Sequence, residues 1–372
     1  MSDLNTLAPD NRDLSMFPGE YGLPFLGKTV EFVKDTLAMC NKHYEKYGPV
    51  SRLDMVKNQR VLMCLGPEFN EATLFDPKGN FSVAGGYASS LGGLYPDGML
   101  TRDDAKHKRT RRASQPAFKN DALKTYVDML IPIQERRIQD LPMNEEFIFY
   151  DNIQKTLMDV AARVFIGLDE LSPEAKKLGH LFSEINEGLI TPLPYDLPFL
   201  QFRKSLKARE ELRQFFIENI PKRRGSNGLD MFTRYCNAKD EDGEYLDDID
   251  IDGHIAFLLF AAFDTTTSAL TNILYYLGKN PEWQDKVRNE IFSVTNEMPT
   301  FEDLAEMNLT EYVFQETLRF YPSVMVLNRR TTRDVNVAGY DIPANTVVMI
   351  SPPFTHRTVS YTHLTLPTTS PV

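Results

Sequence analysis

The stretch Phe257-Leu-Leu-Phe-Ala-Ala-Phe-Asp-Thr-Thr-Thr-Ser268 limits the folds open to this chain more than any other. It lies inside a helical pattern that begins within Asp247–Asp252, runs to about Gly278 and is stopped by Asn280-Pro281. At about 1.5 Å per residue that predicts a helix of roughly 40 Å, able to cross a whole domain. Carboxylates from Asp247 to Asp252 open it, where they favour the positive end of the helix dipole. A helix apolar enough to be central does not carry Asp264, Thr265, Thr266 and Thr267 without cause, because an ionised carboxylate buried without a partner is costly. Ala261 and Ala262 leave room for something bulky to lie flat against the helix. The competing account is a solvated patch, or threonines bonded back to the preceding turn.

Around this helix the chain reads as mainly α with a small β lobe. Its 42% hydrophobic and 25% charged residues exclude a disordered tail or a collagen-like repeat. Val30 to Tyr47 predicts a helix stopped by Gly48-Pro49. Val50–Met55 and Arg60–Leu65 predict strands, and Gly66-Pro67 opens another helix. Phe81 to Gly98 holds five glycines, too many for regular structure, and predicts a mobile loop that is either a functional lid or a plain connection. From Thr101 to about Lys286 helices dominate, with Ile153, Leu157, Val160, Ala161 and Val164 at helical spacing. Pro192 to Pro198 breaks the pattern and Lys222–Asp230 is a polar linker. Past Pro322, Val335–Val337 and Thr346–Ile350 predict strands. One domain over 1–358 is expected, its β lobe drawn from about 48–66 and 327–351 and its helical lobe from about 100–322.

Three cysteines, Cys40, Cys64 and Cys236, are too few and scattered for a disulfide framework or a clustered metal site, which favours a reducing compartment. The 41 basic and 52 acidic residues give a net charge of −11, which speaks against general nucleic-acid affinity. The N-terminus has no signal-like basic and apolar regions. No stretch reaches about 18 uninterrupted apolar residues. A soluble cytoplasmic protein with no membrane span is expected.

Two further motifs stand out. Glu316-Thr-Leu-Arg319 places opposite charges at i and i+3, able to pair on one helix face, among Leu318, Phe320, Tyr321 and Pro322. Lys106-His-Lys-Arg-Thr-Arg-Arg112 is a cationic run in an acidic protein. A solvated face is the plain reading, but His107 and Arg111 are four apart and can hold an anion together. Arg329, Arg330 and His356 are candidates for the same task.

In their order along the chain these features resemble the cytochrome P450 superfamily, the haem-thiolate monooxygenases. The residues concerned are Gly22-Leu-Pro, Tyr47-Gly-Pro-Val50, the segment from Asp104 through His107, Arg111 and Pro116 to Phe118, Ala261-Ala-Phe-Asp-Thr265-Thr, Asn280-Pro-Glu-Trp-Gln, Glu316-x-x-Arg319, Tyr321-Pro322, Arg329, Asp334, Gly339-Tyr340, Ile342-Pro343 and His356-Arg357. His107 stands where the family usually has Trp, and Ala262 where Gly is more usual.

The resemblance implies haem b (heme, iron protoporphyrin IX) as cofactor, with O2 and an apolar small molecule as substrates. It implies electrons from a ferredoxin- or flavodoxin-type partner, docking at the basic run Lys106–Arg112. Thr265 would hydrogen-bond dioxygen and Asp264 would relay protons. Ala261 and Ala262 would line the distal haem face. His107, Arg111, Arg329 and His356 would pair with the haem propionates. Glu316 and Arg319 would form a buried structural pair. Met325, Val326 and Leu327, with the loop Ser82–Gly98, would shape the substrate pocket.

One family feature is missing. The axial cysteine lies after the ExxR helix, in Phe-x-x-Gly-x-x-x-Cys-x-Gly, whereas all three cysteines here precede it. No metal ligand is therefore assigned. The tail Val359–Val372 resembles the translation of a sequencing-library adaptor and is read as non-native, so a truncated, inactive piece of a monooxygenase is expected. A haem peroxygenase or isomerase on the same fold, and a non-enzymatic helical binder of apolar ligands, are the alternatives.

Overall fold

The computed structural model describes residues 13–357 apart from 57, 58 and 192. The tail expected to be non-native lies outside them. The chain divides into two compact units, one running through Ser89 and resuming at Arg319, the other spanning Ser90–Leu318.

The first unit is built on a sheet. Its strands are β1 (Gly19–Glu20), β2 (Val50–Met55), β3 (Gln59–Cys64), β4 (Phe81–Ser82), β5 (Leu327–Thr331) and, after the hairpin of β6 (Val335–Val337) and β7 (Tyr340–Ile342), β8 (Val347–Ile350). The order β1-β2-β3-β8-β5-β4 mixes the two ends of the chain. β2 and β3 are antiparallel with Val50 opposite Cys64, and β8 runs parallel to β3 with Cys64 opposite Ile350. The run Val61-Leu-Met-Cys64 is continuously apolar because both faces are covered. Leu62 and Cys64 pack with Val50, Phe69, Val348 and Ile350. Met63 turns the other way, to Met39, Cys40, Leu53 and Phe354.

The helix expected over Val30 to Tyr47 is two helices, Thr29–Lys34 and Thr36–Tyr47. Asp35 adopts extended backbone between them and caps the second, accepting from the Ala38 N–H at 2.8 Å.

The glycine-rich segment also departs from expectation. Instead of a mobile loop, Val83–Tyr87 forms a short helix capped by Ser82, whose hydroxyl accepts from the Gly85 N–H at 2.7 Å. A Cβ on Gly86 would lie 2.6 Å from the Asn328 backbone, and one on Gly85 would lie 2.9 Å from Arg330 Cβ. These glycines serve close packing against β5, not freedom.

The second unit is helical. Its long helix, Asp248–Lys279, has 32 residues and spans about 48 Å, longer than expected. By length and composition alone it would also pass for a membrane span, as an apolar core helix can. Its first half is tied into this unit by buried ion pairs. Arg102 Nη2 meets Asp250 Oδ1 at 2.6 Å, and Arg209 grips both oxygens of Asp252 at 3.0 and 2.7 Å. Such pairs are costly to break once desolvated.

Helices Pro173–Ile190 and Gln201–Arg223 approach closely where Gly188 meets Ser205; a Cβ on Gly188 would lie 2.5 Å from the Ser205 hydroxyl oxygen. Helix Phe149–Val160 passes into a π-helical turn at Ala161–Ile166.

Candidate active site

The middle of the long helix presents two different sides. At about 100° per residue, Ala261, Asp264 and Thr265 fall together, while Ala262, Phe263, Thr266 and Leu270 fall elsewhere. The second group lines an apolar groove of about 570 Å³, with Leu130 of helix Asn120–Gln139 and Leu157 and Val160 of helix Phe149–Val160. Ala261 and Ala262, both expected to line the distal haem face, are therefore about 100° apart around the helix. Consecutive helical residues diverge, and Ala262 is turned to the groove.

The threonines bond back to the preceding turn. Thr265 donates to the Ala261 carbonyl at 2.6 Å and Thr267 to that of Phe263 at 2.9 Å. Thr265 thus commits its proton to the helix and keeps an oxygen that accepts hydrogen bonds.

Asp264 is open over much of its surface, yet the protein around it removes enough water to push its carboxyl above the ordinary aspartate value. Asn186 of helix Pro173–Ile190 donates to its Oδ2 across 3.5 Å. The sequence reading passed over Asn186, because an isolated asparagine on an amphipathic helix carries no spacing signal.

The cationic run sorts itself into spent and available charges. On helix Asp104–Ser114, Arg109 pairs with Asp240 at 2.8 Å and Arg112 with Glu241. Among the described side chains neither Lys108 nor Arg111 has a carboxylate partner. Half-buried His107 is kept toward its neutral form by burial first and then by the positive charge of Arg111 beside it.

In the other unit, Arg329 is half-buried and donates to the Asn328 carbonyl at 2.9 Å. Arg330 is buried and donates to Asn345 Oδ1 at 3.0 Å. His356 ends the short helix Pro352–His356 and is exposed. Leu327 and Val326 pack against the sheet core, and the Met325 carbonyl accepts from the Ser351 hydroxyl at 2.9 Å. Part of the expected pocket wall is thus spent on holding the sheet.

Glu316 and Arg319 lie on helix Asn308–Phe320, across the division between the units. Against the described residues Glu316 is exposed and Arg319 half-buried, so the burial expected of them is not seen there. Thr317 is the buried residue of this helix, so the described residues cover its face alone.

The family model for cytochrome P450 matches residues 17–361. The chain belongs to the cytochrome P450 family. It is 29% identical over 357 residues to a putative cytochrome P450 136 of Mycobacterium tuberculosis, covering 94% of this chain and 71% of that protein. It is 26% identical to the taxoid 14-beta-hydroxylase of Taxus cuspidata, covering 92% and 70%. With the beta-amyrin 11-oxidase of Glycyrrhiza uralensis the identity is 28%, covering 90% and 71%. Among solved structures, the retinoic acid-bound cyanobacterial CYP120A1 superposes with a TM-score of 0.82 at 27% identity, covering 91% of this chain and 77% of that one. The mainly helical fold with its small sheet is that of a P450, and the family's haem monooxygenase chemistry is the framework for its residues.

The described residues fit part of a haem. In the helical unit His107 and Arg111 are one turn apart with no carboxylate spent on Arg111, which suits an anionic group. None of the three cysteines stands in the family's ligand position, since all precede the helix that carries Glu316 and Arg319. All three are buried and free. Burial pushes the thiols of Cys40 and Cys236 up to about 11 and about 12, and that of Cys64 strongly upward as well.

Proposed function

We propose that this chain forms the body of a haem b-dependent monooxygenase that inserts one atom of O2 into a C–H bond of an apolar substrate. The observation that carries the reading is the Asp264-Thr265 pair midway along the long helix, its carboxyl raised in proton affinity by burial and its hydroxyl bonded to the Ala261 carbonyl. Haem, when bound, supplies the reduction and cleavage of O2.

The chain's own residues do the rest. Asp264 holds a proton at its carboxylate to higher pH than an ordinary aspartate and releases it toward the side of the helix it shares with Thr265. Thr265 Oγ accepts a hydrogen bond there while its own O–H goes on donating to the Ala261 carbonyl. His107 and Arg111 suit an anionic propionate by charge and spacing, and Arg329 and His356 are the further cationic candidates that the family resemblance implies. Relatives named for a taxoid and for beta-amyrin support the apolar substrate class.

The reading requires a thiolate from the family's ligand position after the Glu316-x-x-Arg319 helix, which none of Cys40, Cys64 and Cys236 occupies. Reading the gene past the codon for Thr358 tests this. A downstream Phe-x-x-Gly-x-x-x-Cys supports the reading, and an in-frame continuation without cysteine overturns it. In the haem-loaded enzyme, Thr265→Ala is expected to divert electrons from product to peroxide by several-fold, a loss of the order of 1 kcal/mol or more in proton delivery. Unchanged coupling in T265A favours the peroxygenase or isomerase alternative instead.

A further inference from the structure

Tyr95 is a phenol 1% exposed, near the end of the glycine-rich segment. Its ring stacks on Phe260, centroids 4.9 Å apart with 24° between planes, and meets Phe257 edge-on at 6.3 Å. Its backbone is pinned as well. The carbonyl accepts from the Thr101 hydroxyl at 2.9 Å, and the N–H donates to the Leu91 carbonyl at 2.7 Å. From this fixed ring the hydroxyl donates to Asn186 Oδ1 at 3.2 Å. With Oδ1 occupied by a donor, the amide has one orientation, and Nδ2 is the group turned to Asp264 Oδ2.

We infer that Asn186 is a positioning residue for Asp264, and that Tyr95 anchors it by fixing which way its amide points. The carboxylate is thereby held in one rotamer by a neutral donor. The inference rests on the reading of Asp264 as a proton-handling group and names what governs it.

Neutrality matters here. A lysine or arginine in the place of Asn186 would hold the carboxylate ionised, whereas an amide orients it and leaves protonation within reach. At 3.5 Å the bond is longer than a usual N–H···O bond, and burial alone accounts for the carboxyl standing above its ordinary value. Tyr95 does not itself exchange the proton. Burial drives its phenol far upward, leaving it a constant donor. The charged groups felt at Tyr95 are Arg209 and Asp264. Arg209, on helix Gln201–Arg223, is already held by Asp252. No charged neighbour contributes to the shift of Asp264, which comes from burial.

The test is a titration of Asp264 in the full 372-residue chain, followed by NMR or infrared on aspartate-labelled protein, with Asp264→Asn identifying the signal. Asn186→Leu is expected to raise the apparent pKa of Asp264 by about half a unit to one unit, the size expected for losing one donor to a carboxylate. Tyr95→Phe removes a single oxygen and keeps the ring stack, and a smaller shift in the same direction is expected. Far-UV circular dichroism verifies that each variant keeps its helices; should N186L fail to fold, Asn186→Ser and Y95F carry the test. A titration unmoved in every folded variant overturns the inference. Because the readout needs neither haem nor turnover, that result leaves the proposed function standing, whereas unchanged coupling in T265A strikes the proposed function and not the clamp.

Discussion

Asp264 and His43 are both pushed toward neutrality by burial, the one by keeping its proton and the other by shedding it. His43 is fully buried, with Nδ1 3.0 Å from the Ser51 hydroxyl and no partner for Nε2 among the described residues. Lys28 and Lys42 add to the downward pull on its pKa, while Glu20 and Glu31 oppose it. The sign follows directly. Unfolded chain takes up a proton near 6.5 and the folded chain only below that, so the unfolded state binds more protons as pH falls. Stability should hold above about 6.5 and decline through the window beneath it. Urea midpoints measured between pH 7 and 5 should fall less steeply in His43→Gln than in the parent; equal slopes would show that His43 does not carry this dependence. Residue identity told much at this scale, since Asp264 and Thr265 announce themselves in an apolar run. The orientation of Ala262 and the partnership of Asn186 did not, because both depend on which neighbours pack against which side of a helix.

The helix Asp104–Ser114 illustrates how an element changes the meaning of its residues. Read as a string, Lys106–Arg112 is a single basic patch. Folded, Arg109 and Arg112 face the acidic turn at Asp240 and Glu241, which leaves Lys108 and Arg111 as the described positive charges an acidic electron donor would meet. Steering of this kind alters association rate more than affinity and is screened by salt. Charge reversal at Lys106 and Lys108 should slow electron transfer from such a donor several-fold at low ionic strength, with the difference shrinking as salt is added. Stopped-flow rates unchanged at low salt would remove this helix from the docking surface. The strands were legible from their apolar runs. The glycine-rich segment was not, because composition does not distinguish a glycine needed for freedom from one needed for contact, and Gly85 and Gly86 are of the second kind.

Across the molecule, each compact unit has its own logic: a sheet assembled from both ends of the chain in one, and helices around a 32-residue axis in the other. The mainly helical character with a small sheet was readable in the sequence, because the hydrophobic period changes from two to nearly four and back again, whereas a single domain was expected where two compact units are seen. What the string could not convey was exposure, as with Glu316, which depends on what covers a face and not on the motif. The account stands on the claim that the chain holds a haem whose thiolate comes from none of the three buried cysteines. The most direct measurement is the absorption spectrum of the reduced, carbon monoxide-treated holoprotein expressed from the gene read past Thr358. A thiolate-type band that persists when Cys40, Cys64 and Cys236 are replaced together by alanine is the predicted result. An imidazole-type spectrum, a thiolate band lost in that triple variant, or a protein that retains no haem would contradict it.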